Sequence, residues 1–323
     1  MAYHAVMGYL LPDCRGLNKL NNENPSLKPA ILALIALSLI WGYNWVVMKE
    51  SLRYCSPVDF ATLRTSLGAA VLFAVLLVQR KSLRPKEIPM TILLGLLSTT
   101  GSIGFVTWAL ETGGVGKTAV LVYTMPFWVV LMAWPVLAER IRGMQWIPVL
   151  LAFSGLLIIL EPWNLHSSLF SKIIAILAGL SWAASAIVAK IMRRRTEFDL
   201  VSLTTWQMIF GAIPLIAFSL MAPSPPIQWT NYFVGALIYS SVVSNSLAVL
   251  LWYYILHKLP AGIASLGTLA TPVIGVILAS IQLGERPSLW EGLGMVLIVA
   301  ALALISFLGV MQYRRLKTVI KQD

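Results

Sequence analysis

One stretch of this chain is written twice. Gly116 to Arg140, GKTAVLVYTMPFWVVLMAWPVLAER, shares a template with Gly262 to Arg286, GIASLGTLATPVIGVILASIQLGER, 146 positions later. Gly116 meets Gly262, Pro126 meets Pro272, Ala133 meets Ala279, and Glu139-Arg140 meets Glu285-Arg286. An internal repeat of this kind constrains the architecture before any single residue does. In each copy a proline stands inside an apolar run, with 13 residues to the closing glutamate, about 20 Å of helix. A soluble core helix rarely tolerates that proline, whereas a helix in a bilayer does.

The rest of the chain agrees. Of its 323 residues 58% are hydrophobic and only 11% charged, with a mean hydropathy of +0.81, far more apolar than a soluble domain needs. Apolar runs at about 29–48, 58–79, 88–110, 116–138, 143–160, 172–190, 200–222, 231–256, 261–283 and 288–310 predict ten helices of membrane-spanning length. The expected fold is therefore an all-α membrane protein. It consists of two five-helix repeats, 29–160 and 172–310, between a tail at 1–28 and a basic tail at 311–323. Residues 1–28 lack the features of a signal peptide. Because five is odd, the second repeat should be inverted relative to the first. With the N-terminus inside, 18 of the 24 basic residues fall on the cytosolic side. Lys49, Arg53, Lys117, Lys172 and Arg286 fall outside, and Arg64 lies within a span. The positive-inside rule then places both termini in the cytosol. The net charge of +11 is thus accounted for by topology, and the partners expected are a lipid bilayer and a small molecule, with no nucleic acid. The oligomeric state does not follow from the residues.

Inverted repeats suit a machine with two equivalent end states, as in secondary transporters. LSLIWGYNWVVMK around Trp41 echoes AGLSWAASAIVAK around Trp182, each ending on a lysine, Lys49 and Lys190. The duplicated five-helix unit, its tryptophan-bearing first helix, its proline before an apolar run and its glutamate closing helices four and nine resemble the EamA family of the drug/metabolite transporter superfamily. The resemblance covers roughly residues 30–310. It implies a ten-helix transporter of the cell membrane, often an exporter of amino acids or other small metabolites, with a central cavity between the halves. The family's basic residue in the second helix is matched by Arg64. The second repeat has Thr204, Thr205 and Trp206 there, so any role of the arginine is one-sided.

Candidate site residues follow from cost and depth. A charge inside a span must be paired or reach the interface, so Arg64 either snorkels toward helix-terminal groups near Asp59 or meets a substrate carboxylate. Trp41, Trp108 and Trp182, with Asn44, Tyr123, Thr124, Tyr239, Ser244 and Asn245, could line a cavity of aromatic and neutral polar character. Pro126 and Pro272 are hinge or gating candidates, or simple kinks. Glu139 and Glu285 suit capping of the helices that follow them. No Asp, Glu or His lies near the middle of a span, so no carboxylate relay for protons or hydrophobic cations is expected.

No cofactor or metal is expected. GGVGKT at Gly113 to Thr118 lacks the first glycine of a phosphate loop, and Cys14 and Cys55 fall on opposite sides of the membrane. A membrane enzyme would need a nucleophile with a base or a metal set, and no such grouping is visible at span depth. A receptor is a second alternative. Within transport, a nucleotide-sugar or phosphate-ester antiporter would show several converging cations, and only Arg64 is available.

Overall fold

The structure is a computed structural model and describes residues 27–125, 127–129, 131–132, 146–160, 169–222, 224–251, 255 and 270–320. These residues form helices and connecting turns, with no strand among them. In chain order the helices are α1 (Leu27–Ser51), α2 (Pro57–Val78), α3 (Ile88–Thr112), α4 (Val115–Val122), α5 (Trp146–Leu160), α6 (Leu169–Arg195), α7 (Leu200–Met221), α8 (Asn231–Leu251), α9 (Ala270–Gln282) and α10 (Leu289–Ile320). Six of them, α1, α2, α3, α6, α7 and α8, are long and apolar enough to cross a membrane. Shorter apolar helices lie at Trp146–Gly155, Thr271–Gln282 and Gly292–Ala301.

Local chemistry explains the helix starts. Ser56 caps α2 by accepting from Asp59 N–H at 3.1 Å, with Pro57 in the first turn. Asp199 caps α7 and Thr230 caps α8 in the same way, at 3.0 and 3.2 Å. One end differs from expectation: α10 runs ten residues beyond the predicted boundary at 310, through the basic stretch to Ile320. That segment contains no proline or glycine to stop the helix.

Between 39% and 44% of the apolar window of each long span is buried, and the outward remainder is dominated by side chains such as Leu32, Ile216, Phe218 and Leu220. Such a surface suits lipid and would aggregate in water. Inside, the packing follows a pairing rule. α1 packs on α9 and α6 on α4; α2 packs on α8 and α7 on α3; α2 meets α7, α4 meets α9, and α5 meets α10. Exchanging α1–α5 for α6–α10 maps these contacts onto themselves, the signature of a pseudo-twofold relation between two like halves.

The same exchange relates two backbone irregularities. Leu96–Ile103 of α3 and Tyr239–Leu247 of α8 are π-helical, and both carry the polar runs of their helices. Widened turns redirect carbonyls sideways, a feature frequent at functional sites. Leu97 O in α3 accepts from Ser181 Oγ of α6 at 2.8 Å, and Ser244 O in α8 accepts from Trp41 Nε1 of α1 at 3.1 Å. Close approach at these seams requires glycine. A Cβ on Gly211 would lie 2.4 Å from Gly95 O and 2.5 Å from Thr99 Cβ.

Candidate functional site

Helix α1 runs between two groups of the predicted residues. Toward α8 and α2 it presents Trp41, Asn44 and Met48, and toward α4 it presents Trp45. The first group is polar. Asn44 Oδ1 accepts from Ser240 Oγ at 2.9 Å, and Tyr239 donates its hydroxyl to Ile40 O at 2.9 Å. Arg64 of α2 is buried here. Its Nη2 donates to Asn245 Oδ1 at 2.9 Å, its Nη1 to Met48 Sδ at 2.6 Å, and its guanidinium carbon lies 5.9 Å from the Phe60 ring centre. The snorkelling arrangement does not occur. Asp59, the expected terminal group, accepts instead from Ser56 Oγ at 2.8 Å and from Ser219 Oγ. Gly68, one turn after Arg64, lets α2 approach α8: a Cβ there would lie 3.3 Å from Asn245 Cβ.

The second group is aromatic. Tyr123 lies edge-on to Trp182, with ring centres 5.9 Å apart, and 6.4 Å from Trp45. Trp128 Nε1 donates to Thr124 Oγ1 at 3.0 Å, and Thr124 donates to Leu121 O at 2.6 Å. Pro272 is buried in α9, which packs against α1 and α4. The structure thus brings together Trp41, Asn44, Arg64, Tyr239, Ser244 and Asn245 on one side of α1, and Tyr123, Thr124 and Trp182 on the other. Trp108 stands apart, 40% exposed and edge-on to Phe170 at 5.4 Å. Pro126 and Glu139 lie outside the described residues. Trp45 and Met48 join the groups without being site candidates from sequence, and Ser240 joins from the polar run of α8. Trp45 aligns with Ala186 in the second repeat, so the internal echo hid it.

The two ends of the bundle are tied differently. At the end holding Asp59, Glu285 accepts from Val115 N–H at 2.8 Å and Gly116 N–H at 3.3 Å, capping α4 rather than the helix that follows it. Gly284, at φ +66°, provides the turn that aims Glu285 sideways. Beside it Lys49 Nζ donates to the carbonyls of Leu110, Glu111 and Gly113 at 2.5, 3.2 and 2.9 Å, closing the C-terminus of α3. A cleft of about 280 Å³ lies between these groups, lined also by Lys117 and Arg286. At the opposite end Lys81 Nζ pairs with Asp199 at 2.7 Å, Lys86 Nζ donates to Glu197 O at 2.8 Å, and Thr196 Oγ1 donates to Glu87 Oε1 at 2.6 Å. Partial burial of Asp199 opposes ionisation, but the hydrogen bonds from Lys81 and the Ser202 N–H outweigh it and hold the carboxyl below its ordinary value. Among the described residues no three His, Cys, Asp or Glu side chains converge to hold a metal.

The sequence profile of the EamA-like transporter family matches residues 28–161 and again 169–307. The chain is 30% identical over 283 residues to the uncharacterized transporter YoaV of Bacillus subtilis, covering 86% of this chain and 96% of that one. It is 28% identical over 293 residues to a protein of Salmonella typhimurium named probable amino-acid metabolite efflux pump, covering 86% and 94%. A solved crystal structure matches with a TM-score of 0.62 at 17% identity, over 90% of this chain and 99% of that one, which is a likeness of fold.

Proposed function

The chain belongs to the EamA-like transporter family and is a multi-pass membrane transporter; from that premise we propose that it exports small metabolites such as amino acids by alternating access between its two halves. In this reading ten spans form two inverted repeats, 29–160 and 172–310, with both termini in the cytosol of a cell-membrane protein. The observation that carries it is the polar seam in the interior. The π-helical segments of α3 and α8 hold Ser, Thr and Asn side chains at the depth where an apolar bundle has least use for them, and Arg64 donates to Asn245 of the second. Polar groups at such depth are costly and are kept where they meet a passing solute. The Salmonella relative's name supports amino acids as the solute class. Rocking would open the ties at one end while the other stays closed: Glu285 to α4 at one, Lys81 to Asp199 at the other.

Counterflow in proteoliposomes loaded with a pooled library of amino acids and small metabolites, with and without a pH gradient, tests the proposal. Saturable exchange of one compound class is expected. Folded protein that gives no flux above empty liposomes would return the receptor and enzyme alternatives to the front.

A further inference from the structure

We propose that Arg64 and Asn245 form a carboxylate-binding site, so that the transported solute carries a single carboxylate. This rests on the carrier reading above and narrows it to a chemical class. Arginine keeps its charge at physiological pH, and a buried charge must be compensated. Arg64 is 5% exposed, yet among the described residues no carboxylate pairs with it. Its partners are one carboxamide oxygen, one thioether and one aromatic face. A thioether is a weak acceptor, and none of the three carries a full negative charge. Asp59 on the same helix accepts from Ser56 and Ser219.

Two donors at this place are left over. Arg64 Nε is buried without a partner, and so is Asn245 Nδ2, whose own oxygen is taken by the guanidinium. Donors joined around one positive charge complement an ionised carboxylate, which only accepts. One cation matches one carboxylate. A phosphate dianion would leave net negative charge beside Arg64, and Lys49, the cation that follows Met48 on α1, is bound to the α3 carbonyls. A free carboxylic acid or a zwitterionic amino acid fits, and chloride is the competing small anion.

The test is thermal unfolding of the full-length protein in detergent, in chloride-free sulfate buffer, followed by tryptophan fluorescence. The probes are a pool of free amino acids and short monocarboxylic acids, the same compounds as amides, and sodium chloride. Acids should raise the unfolding temperature, and amides and chloride should not. Arg64→Gln should weaken the response to acids about 10- to 100-fold in concentration. Should that variant fold poorly, Asn245→Asp keeps the question open to test. It places a carboxylate beside Arg64, so it should unfold at a higher temperature than wild type and no longer respond to acids. Counterflow of the same pools runs in parallel. Amides that exchange as fast as acids, chloride that stabilises as well as acids, or an Asn245→Asp protein that responds like wild type would each overturn the carboxylate site. Stabilisation by acids that depends on Arg64, with no exchange of any compound, would keep the site and overturn the carrier reading.

Discussion

Replacing Glu285 by glutamine isolates the tie between α4 and the turn after α9. The carboxylate accepts from two backbone N–H groups of the first turn of α4, at 2.8 and 3.3 Å, so it both satisfies orphan donors and sits at the positive end of the helix dipole. Glutamine keeps one acceptor oxygen and loses the charge. Charge-assisted bonds of this kind are about twice as strong as neutral ones, and a carboxylate at a partly buried helix N-terminus contributes about 1–2 kcal/mol. With roughly 2–4 °C per kcal/mol for chains of this order, Glu285→Gln should lower the unfolding temperature in detergent by about 2–8 °C. Gly114→Ala approaches the same contact from the other side. Its new Cβ would lie 3.1 Å from Glu285 Oε2, while Gly114 itself has an ordinary φ of −74°, so any loss reflects crowding of the carboxylate. Wild-type unfolding temperatures in both variants would refute the cap.

Other sites respond in distinct ways. Asp199→Asn keeps an oxygen to cap the Ser202 N–H but loses the charge at the helix N-terminus and the Lys81 pair, and should cost up to about 1 kcal/mol near neutral pH. Because the folded carboxyl titrates below its unfolded value, that difference from wild type should shrink as pH falls through about 4 and disappear below it, which unfolding measured across pH checks. Gly211→Ala should destabilise by about 1–3 kcal/mol by wedging α7 from α3, measured by the same unfolding assay. Burial first, and then the nearby Asp59 charge, push the Cys55 thiol up to about 12, so its peptide should stay unlabelled by a permeant maleimide at pH 7.5 and become labelled after denaturation, read by mass spectrometry.

Apolar run lengths and the duplicated template carried the all-helical, two-repeat character of the chain because membrane spans need little beyond composition and spacing. What joins the spans is another matter. Asn245 is 181 positions from Arg64, and Val115 is 170 from Glu285. No local pattern links such partners. Capping was readable at Glu285 as a tendency of carboxylates, but its target depends on the positive φ of Gly284, and so the adjacent helix was expected and α4 was found. The polar runs of α3 and α8 are visible in the sequence, whereas their π-helical winding, found where α3 meets α6 and α8 meets α1, is not. Trp108 shows the other limit: depth along a span does not say which neighbours a ring meets, and this one lies 40% exposed beside Phe170, apart from the two groups around α1.

Alternating access is tested most directly at Ser244, buried in the π-helical segment of α8 beside the Trp41 contact. In a protein with Cys14 and Cys55 replaced by serine, Ser244→Cys should react slowly with a membrane-impermeant thiol reagent in both right-side-out and inside-out vesicles. A transported acid should slow both reactions. Labelling confined to one face, or none from either face in protein that still unfolds cooperatively, would contradict a site that opens in turn to the two sides of the membrane.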